Sequence, residues 1–108
     1  MTYKIFLDDE LEAPDNSWVV ARTSQEAKEL VINNGSPDVI SFDSNLGLDE
    51  INNRLDTGFE FAQWLVEKDK TCRFLRDDFK FITHSTNLLE ARSIVEFLSY
   101  YLGVQRSL

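Results

Sequence analysis

Short apolar runs alternate along this chain with longer stretches whose apolar residues recur at helical spacing. Tyr3 to Leu7 is a continuous β-type run that suits a buried central strand. Asp8 to Ser17 follows with turn chemistry at Pro14 and Asp15-Asn16, and Trp18 to Ala21 reads as a second strand. Thr23-Ser24-Gln25-Glu26 is a capping box, in which hydroxyl and carboxylate satisfy orphan amides reciprocally. The helix it opens places Ala27, Leu30 and Val31 on one face and stops near Asn34-Gly35. Pro37 leads into a third strand, Asp38 to Phe42.

Gly47 to Asp56 is polar and reads as a long surface loop or a short helical turn. Thr57-Gly58-Phe59-Glu60 is a second capping box, starting a helix that turns Phe61, Ala62 and Leu65 inward, with Trp64 and Val66 as further candidates. Asp69 to Asp78 is a charged connection without an assigned element, and Phe79 to Ile82 is the fourth strand. Asn87 with Glu90 caps a last helix, where Leu88, Ala91, Ile94, Val95, Leu98, Tyr101 and Leu102 follow the i, i+3, i+4, i+7 rule.

The order β-β-α-β-α-β-α predicts an α/β domain over residues 1–108, with a mainly parallel four-stranded sheet and helices on both faces. One connection strains that reading. Asp8 to Ser17 is about ten residues, near the lower limit for a parallel crossover, and has no room for a packed helix. The second strand is therefore either reached by an extended crossover or paired antiparallel at the edge.

Three of the strands end in polar, reactive residues: Asp8-Asp9-Glu10, Asp43, and Thr83-His84-Ser85. Parallel strands deliver their carboxyl ends to one edge, where open α/β sheets bind ligands. Asp8, Asp9 and Asp43 together would repel unless a cation neutralises them, and Mg²⁺ accepts a few carboxylates while keeping waters that a phosphate oxygen can replace. Strand alternation points one of Asp8 and Asp9 more fully into the crevice than the other. His84 is suited to general acid–base work or, protonated, to pairing with phosphate. Ser85, Thr86 and Asn87, at the start of the last helix, form an anion site, and Asn45 offers an amide. Each has a plainer reading as well: acids solvated in turns, a histidine bonded to a strand-end carbonyl, and Ser, Asn and Gly47 as cap and turn residues.

Charge narrows the partners. Nineteen acids against eleven bases give a net charge of −8, which disfavours duplex nucleic acid and leaves room for a phosphate ester held through a metal. The single cysteine, Cys72, builds no disulfide framework, and no apolar run approaches the length of a signal peptide core or a membrane span. A soluble cytoplasmic protein is expected.

Several of these motifs, in order, resemble those of a known family. Trp18-Val19-Val20-Ala21-Arg22-Thr23 and Pro37-Asp38-Val39-Ile40-Ser41-Phe42-Asp43 resemble the middle of response-regulator receiver domains, with Asp8-Asp9 like their acidic pair and Asp43 like their phosphoacceptor. Leu7-Asp8-Asp9-Glu10 with Pro14, Asp43-Ser44-Asn45-Leu46-Gly47, Thr57-Gly58 before Trp64-Leu65, and His84-Ser85-Thr86-Asn87 resemble more closely the cyclic-phosphate processing receiver domains. That resemblance implies a flavodoxin-like sheet without the first receiver helix, and in this sequence no fifth strand with the receiver lysine is expected after the last helix. It also implies a site at Asp8, Asp9, Asp43, His84 and Ser85, and activity on cyclic phosphates of nucleotides or RNA. The chain departs from the pattern where Ser44-Asn45 replaces a frequent His-Asp, and where Leu11 follows the opening acids in place of a basic residue.

Two functions of different class follow. One is a Mg²⁺-assisted phosphoesterase-like domain acting on a cyclic or terminal phosphate of a small molecule or RNA end. Asp8, Asp9 and Asp43 would hold the ion, Asp43 and His84 would carry the chemistry, and Ser85, Thr86, Asn87 and Asn45 would bind phosphate. The other is a degenerate receiver that binds a protein partner and catalyses nothing. A phosphoacceptor role for Asp43 is a third outcome, disfavoured by the absence of a strand with the receiver lysine.

Overall fold

The computed structural model describes residues 3–9, 12–43, 58–84 and 88–105. Four strands, β1 (Lys4–Leu7), β2 (Trp18–Ala21), β3 (Val39–Phe42) and β4 (Lys80–Thr83), form one sheet of order β2-β1-β3-β4. Every pairing is parallel, so the second strand is reached by an extended crossover. Three helices accompany them, α1 (Ser24–Asn34), α2 (Gly58–Cys72) and α3 (Leu88–Tyr100), the last running on as a π-helical stretch, Tyr101–Gln105.

Local chemistry accounts for the first helix. Thr23 has extended backbone at its N-terminus, and its hydroxyl accepts from the Glu26 amide at 3.1 Å. At the other end Gly35 takes φ 81°, a left-handed value that suits glycine, and its amide closes on the Val31 carbonyl. Thr57, predicted to cap the second helix, lies outside the described residues, as do the loop residues Gly47–Asp56 and the capping residue Asn87.

The crossovers β2–α1–β3 and β3–α2–β4 step in the same direction across the sheet, so a common hand puts α1 and α2 on one face. The core agrees. Ile5, Leu7, Ala21, Ile40 and Phe42, each wholly buried, share one cluster with Ala27 and Val31 of α1, Phe61, Ala62 and Leu65 of α2, and Ile94 and Leu98 of α3. Of the expected cover on both faces, the helices described supply one. The β1–β2 connection steps the opposite way, so its crossover belongs to the other face, and its described residues hold no helix.

The strands start within one residue of expectation, and the larger differences lie in the helices. Residues 69–72, expected in a connection, complete α2, because Asp69 is buried and bonded: its carboxylate accepts from the Tyr101 hydroxyl at 2.6 Å and from the Leu75 amide at 2.9 Å. On α3 the inward stripe is Ala91, Ile94, Leu98 and then Tyr101. Leu88, one turn beyond the core on that stripe, is 79% exposed, and Val95, on its flank, is 40% exposed.

Candidate functional site

The site is placed by backbone bonds that continue the sheet one residue past its strands. Leu7 lies beside Ala21 and Phe42, and Phe42 beside Thr83. Just beyond that row, the Asp8 amide donates to the Ala21 carbonyl, the Asp43 amide to Leu7 and the His84 amide to Phe42, each at 3.0 Å. Asp8, Asp43 and His84 thus leave the same edge in register, as the strand-end pattern predicts.

Their side chains converge. Asp8, Asp9 and Asp43 each present an oxygen within 4.8 Å of the others'. Asp8 is buried, whereas Asp9 and Asp43 are half-buried. Alternation therefore buries Asp8 more deeply, yet both members of the pair reach the cluster. His84 sits against them, with Nε2 2.8 Å from Asp8 Oδ2. Its other nitrogen, Nδ1, lies 2.6 Å from Ser41 Oγ, and its ring stacks on Phe6 at 4.4 Å and 10°. Three carboxylates so close repel one another, and a hard divalent cation with oxygen ligands is what that donor set fits.

Three contributors were not singled out as site residues in the sequence. Ser41 and Phe6 precede Asp43 and Asp8 by two positions, so strand alternation puts them on the face of the acids; a polar residue inside an otherwise apolar run was the visible signal. Arg22, just past β2, donates from Nη1 to the Asp8 carbonyl at 3.1 Å, bringing a cation to the edge from the end of the remaining strand. Gly58 has a different part. A Cβ at this first residue of α2 would lie 2.0 Å from the Asp43 carbonyl oxygen, so the helix can start against Asp43 only because no side chain is there. The expected phosphate contacts Ser85, Thr86, Asn87 and Asn45 lie outside the described residues.

Among the described residues no helix is long and apolar enough to cross a membrane. A search of curated proteins and a search of solved structures found no match. A family model, the cyclic-phosphate processing receiver domain, matches residues 3–100, a span that takes in all four strands, the three converging aspartates and His84. The wholly parallel sheet, the acids at its carboxyl edge and that match agree: this chain belongs to the cyclic-phosphate processing receiver domain family.

Proposed function

We propose that this domain is a Mg²⁺-assisted phosphoesterase-like module acting on a cyclic or terminal phosphate of a nucleotide or RNA end. The observation that carries the reading is the convergence of Asp8, Asp9 and Asp43 within 4.8 Å at the ligand edge of a parallel sheet. Those three residues would hold the ion. Bound there, Mg²⁺ supplies Lewis-acid polarisation of a phosphoryl oxygen and a more acidic water.

Hydrolysis of a cyclic ester joins a water oxygen to phosphorus, breaks one ring P–O bond and moves the water proton to the departing sugar oxygen. Asp43, half-buried where Asp8 is buried, would meet the incoming water. His84 enters the proton balance either as a carrier or through Asp8, to which it is bonded. Ser85, Thr86, Asn87 and Asn45 complete the proposal as phosphate ligands. The test is release of monoester from 2′,3′-cyclic nucleotides with and without Mg²⁺. Turnover should require the ion and vanish in a double Asp43→Ala, His84→Ala variant; unchanged turnover in that variant removes the reading.

A second reading has its own observation. Leu88 and Leu89, adjacent on α3, are 79% and 80% exposed, which suits a receiver-derived domain that docks on a protein partner. Amide shifts during Mg²⁺ titration separate the two. Movement at Asp8, Asp9 and Asp43 favours chemistry, and silence there favours docking.

A further inference from the structure

Asp8 is the most enclosed member of the acid cluster, and what encloses it is a file of side chains reaching back along β1 and β3. We infer that Ser41 and Phe6 are positioning residues: they set the tautomer and plane of His84, which in turn holds the Asp8 carboxylate in its place within the acid cluster. This rests on the reading of the three acids as a cation site.

An ionised carboxylate only accepts hydrogen bonds, so the 2.8 Å contact with Asp8 Oδ2 requires a hydrogen on His84 Nε2. In the neutral ring Nδ1 is then an acceptor, and the Ser41 hydroxyl, 2.6 Å away, is its donor. Without that donor the ring is free to carry its hydrogen on Nδ1, and a lone pair would then face the carboxylate. Phe6 fixes the remaining freedom. Stacked at 4.4 Å and 10° on the imidazole, it blocks rotation of the ring out of the line joining Ser41 to Asp8. Phe6 is braced in turn by the edge of Trp18, at 6.0 Å and 74°.

Exposure decides what Ser41 is not. The line Ser41–His84–Asp8 has the members of a nucleophilic triad, but Ser41 is 2% exposed in a central strand, where no phosphate reaches its oxygen. It acts through His84. His84 in turn acts through Asp8, in the manner of outer partners that orient a metal ligand and fix a ring tautomer.

The experiment combines ¹⁵N spectra of the His84 ring at one fixed pH, calorimetric Mg²⁺ titration and cyclic-nucleotide kinetics on wild type, Ser41→Ala and Ser41→Thr. In wild type the spectra should show hydrogen on Nε2 and a hydrogen-bonded acceptor at Nδ1. Ser41→Ala should lose that acceptor signature and weaken Mg²⁺ binding by about 10-fold, the low end for an outer partner. Ser41→Thr, which keeps the hydroxyl, should restore both. Hydrogen on Nδ1 alone in wild type, or Ser41→Ala spectra and affinity equal to wild type, would overturn the inference. So would a fall in kcat with Mg²⁺ affinity unchanged, the mark of His84 carrying substrate protons directly. A wild type that takes up no Mg²⁺ removes the cation reading and the purpose given to Asp8, while the ring spectra still decide the Ser41–His84 link.

Discussion

Two buried carboxylates, Asp8 at the carboxyl edge of the sheet and Asp69 near the end of α2, are 2% and 1% exposed, and they do opposite things. Asp69 receives the Tyr101 hydroxyl and the Leu75 amide, so its oxygens meet donors that tie the helix to the segments after it. Asp8 receives His84, but it also shares 4.8 Å with two more carboxylates. A buried acid surrounded by donors is part of the fold's hydrogen bonding. A buried acid crowded by other acids carries a cost in stability that a bound cation would relieve, and that crowding of like charge is the difference between the two places.

The contrast is tested most strongly at the cluster. Asp43→Asn should weaken Mg²⁺ binding by at least about 100-fold, more than outer partners usually account for. In chelator the same variant should be more stable than wild type by about 0.5–1 kcal/mol, because one repelling charge is gone. Urea melts with and without Mg²⁺ check both halves; a variant destabilised in chelator would place Asp43 with Asp69 as a structural acid. Asp69→Ala is the converse. It should cost about 2–3 kcal/mol by leaving the Tyr101 and Leu75 donors without their charged acceptor, with Mg²⁺ affinity per folded molecule unchanged.

Gly58→Ala joins the two behaviours, since its Cβ would collide with the Asp43 backbone. A loss of about 2 kcal/mol is expected from the forced shift, together with weaker Mg²⁺ binding, and calorimetry on the folded variant reads the second effect separately. The smallest effect lies far from the site. The Tyr3 hydroxyl donates to the Gly35 carbonyl at 2.5 Å and reaches the Leu30 carbonyl at 3.3 Å, and burial pushes its pKa up from 10.0 to about 12. A raised folded pKa means the folded state keeps its proton longer. The stability it contributes is whole below about pH 10 and is lost as pH rises toward about 12. Alkaline titration of wild type against Tyr3→Phe should show a steeper decline in the former; parallel curves would remove the tyrosine's part.

Much of this was legible because it is local. Apolar runs, the Thr23 cap and the Asn34-Gly35 stop act within a few residues, and strand β2 and helix α1 fall where those signals put them. The acids and His84 were legible too, since each lies within two residues of the end of an apolar run. Asp69 was not: an acid in a charged stretch reads as solvated until Tyr101, 32 residues away, is seen donating to it. Leu88 failed for the reverse reason, because spacing defines a stripe but not how far along the helix a neighbour extends.

Periodicity and end signals act along the chain, and they were enough to give the four strands and three helices, a mainly parallel sheet and the candidate acids, but not the direction of β2. Which strands lie side by side, that the helices described share one face, and that Ser41 and Phe6 stand behind His84 depend on register between segments far apart in sequence. Register is set by packing across the sheet, where a shift of one residue would turn every side chain to the other face. No local pattern carries that information, so the edge at which Asp8, Asp43 and His84 meet is a property of the folded molecule.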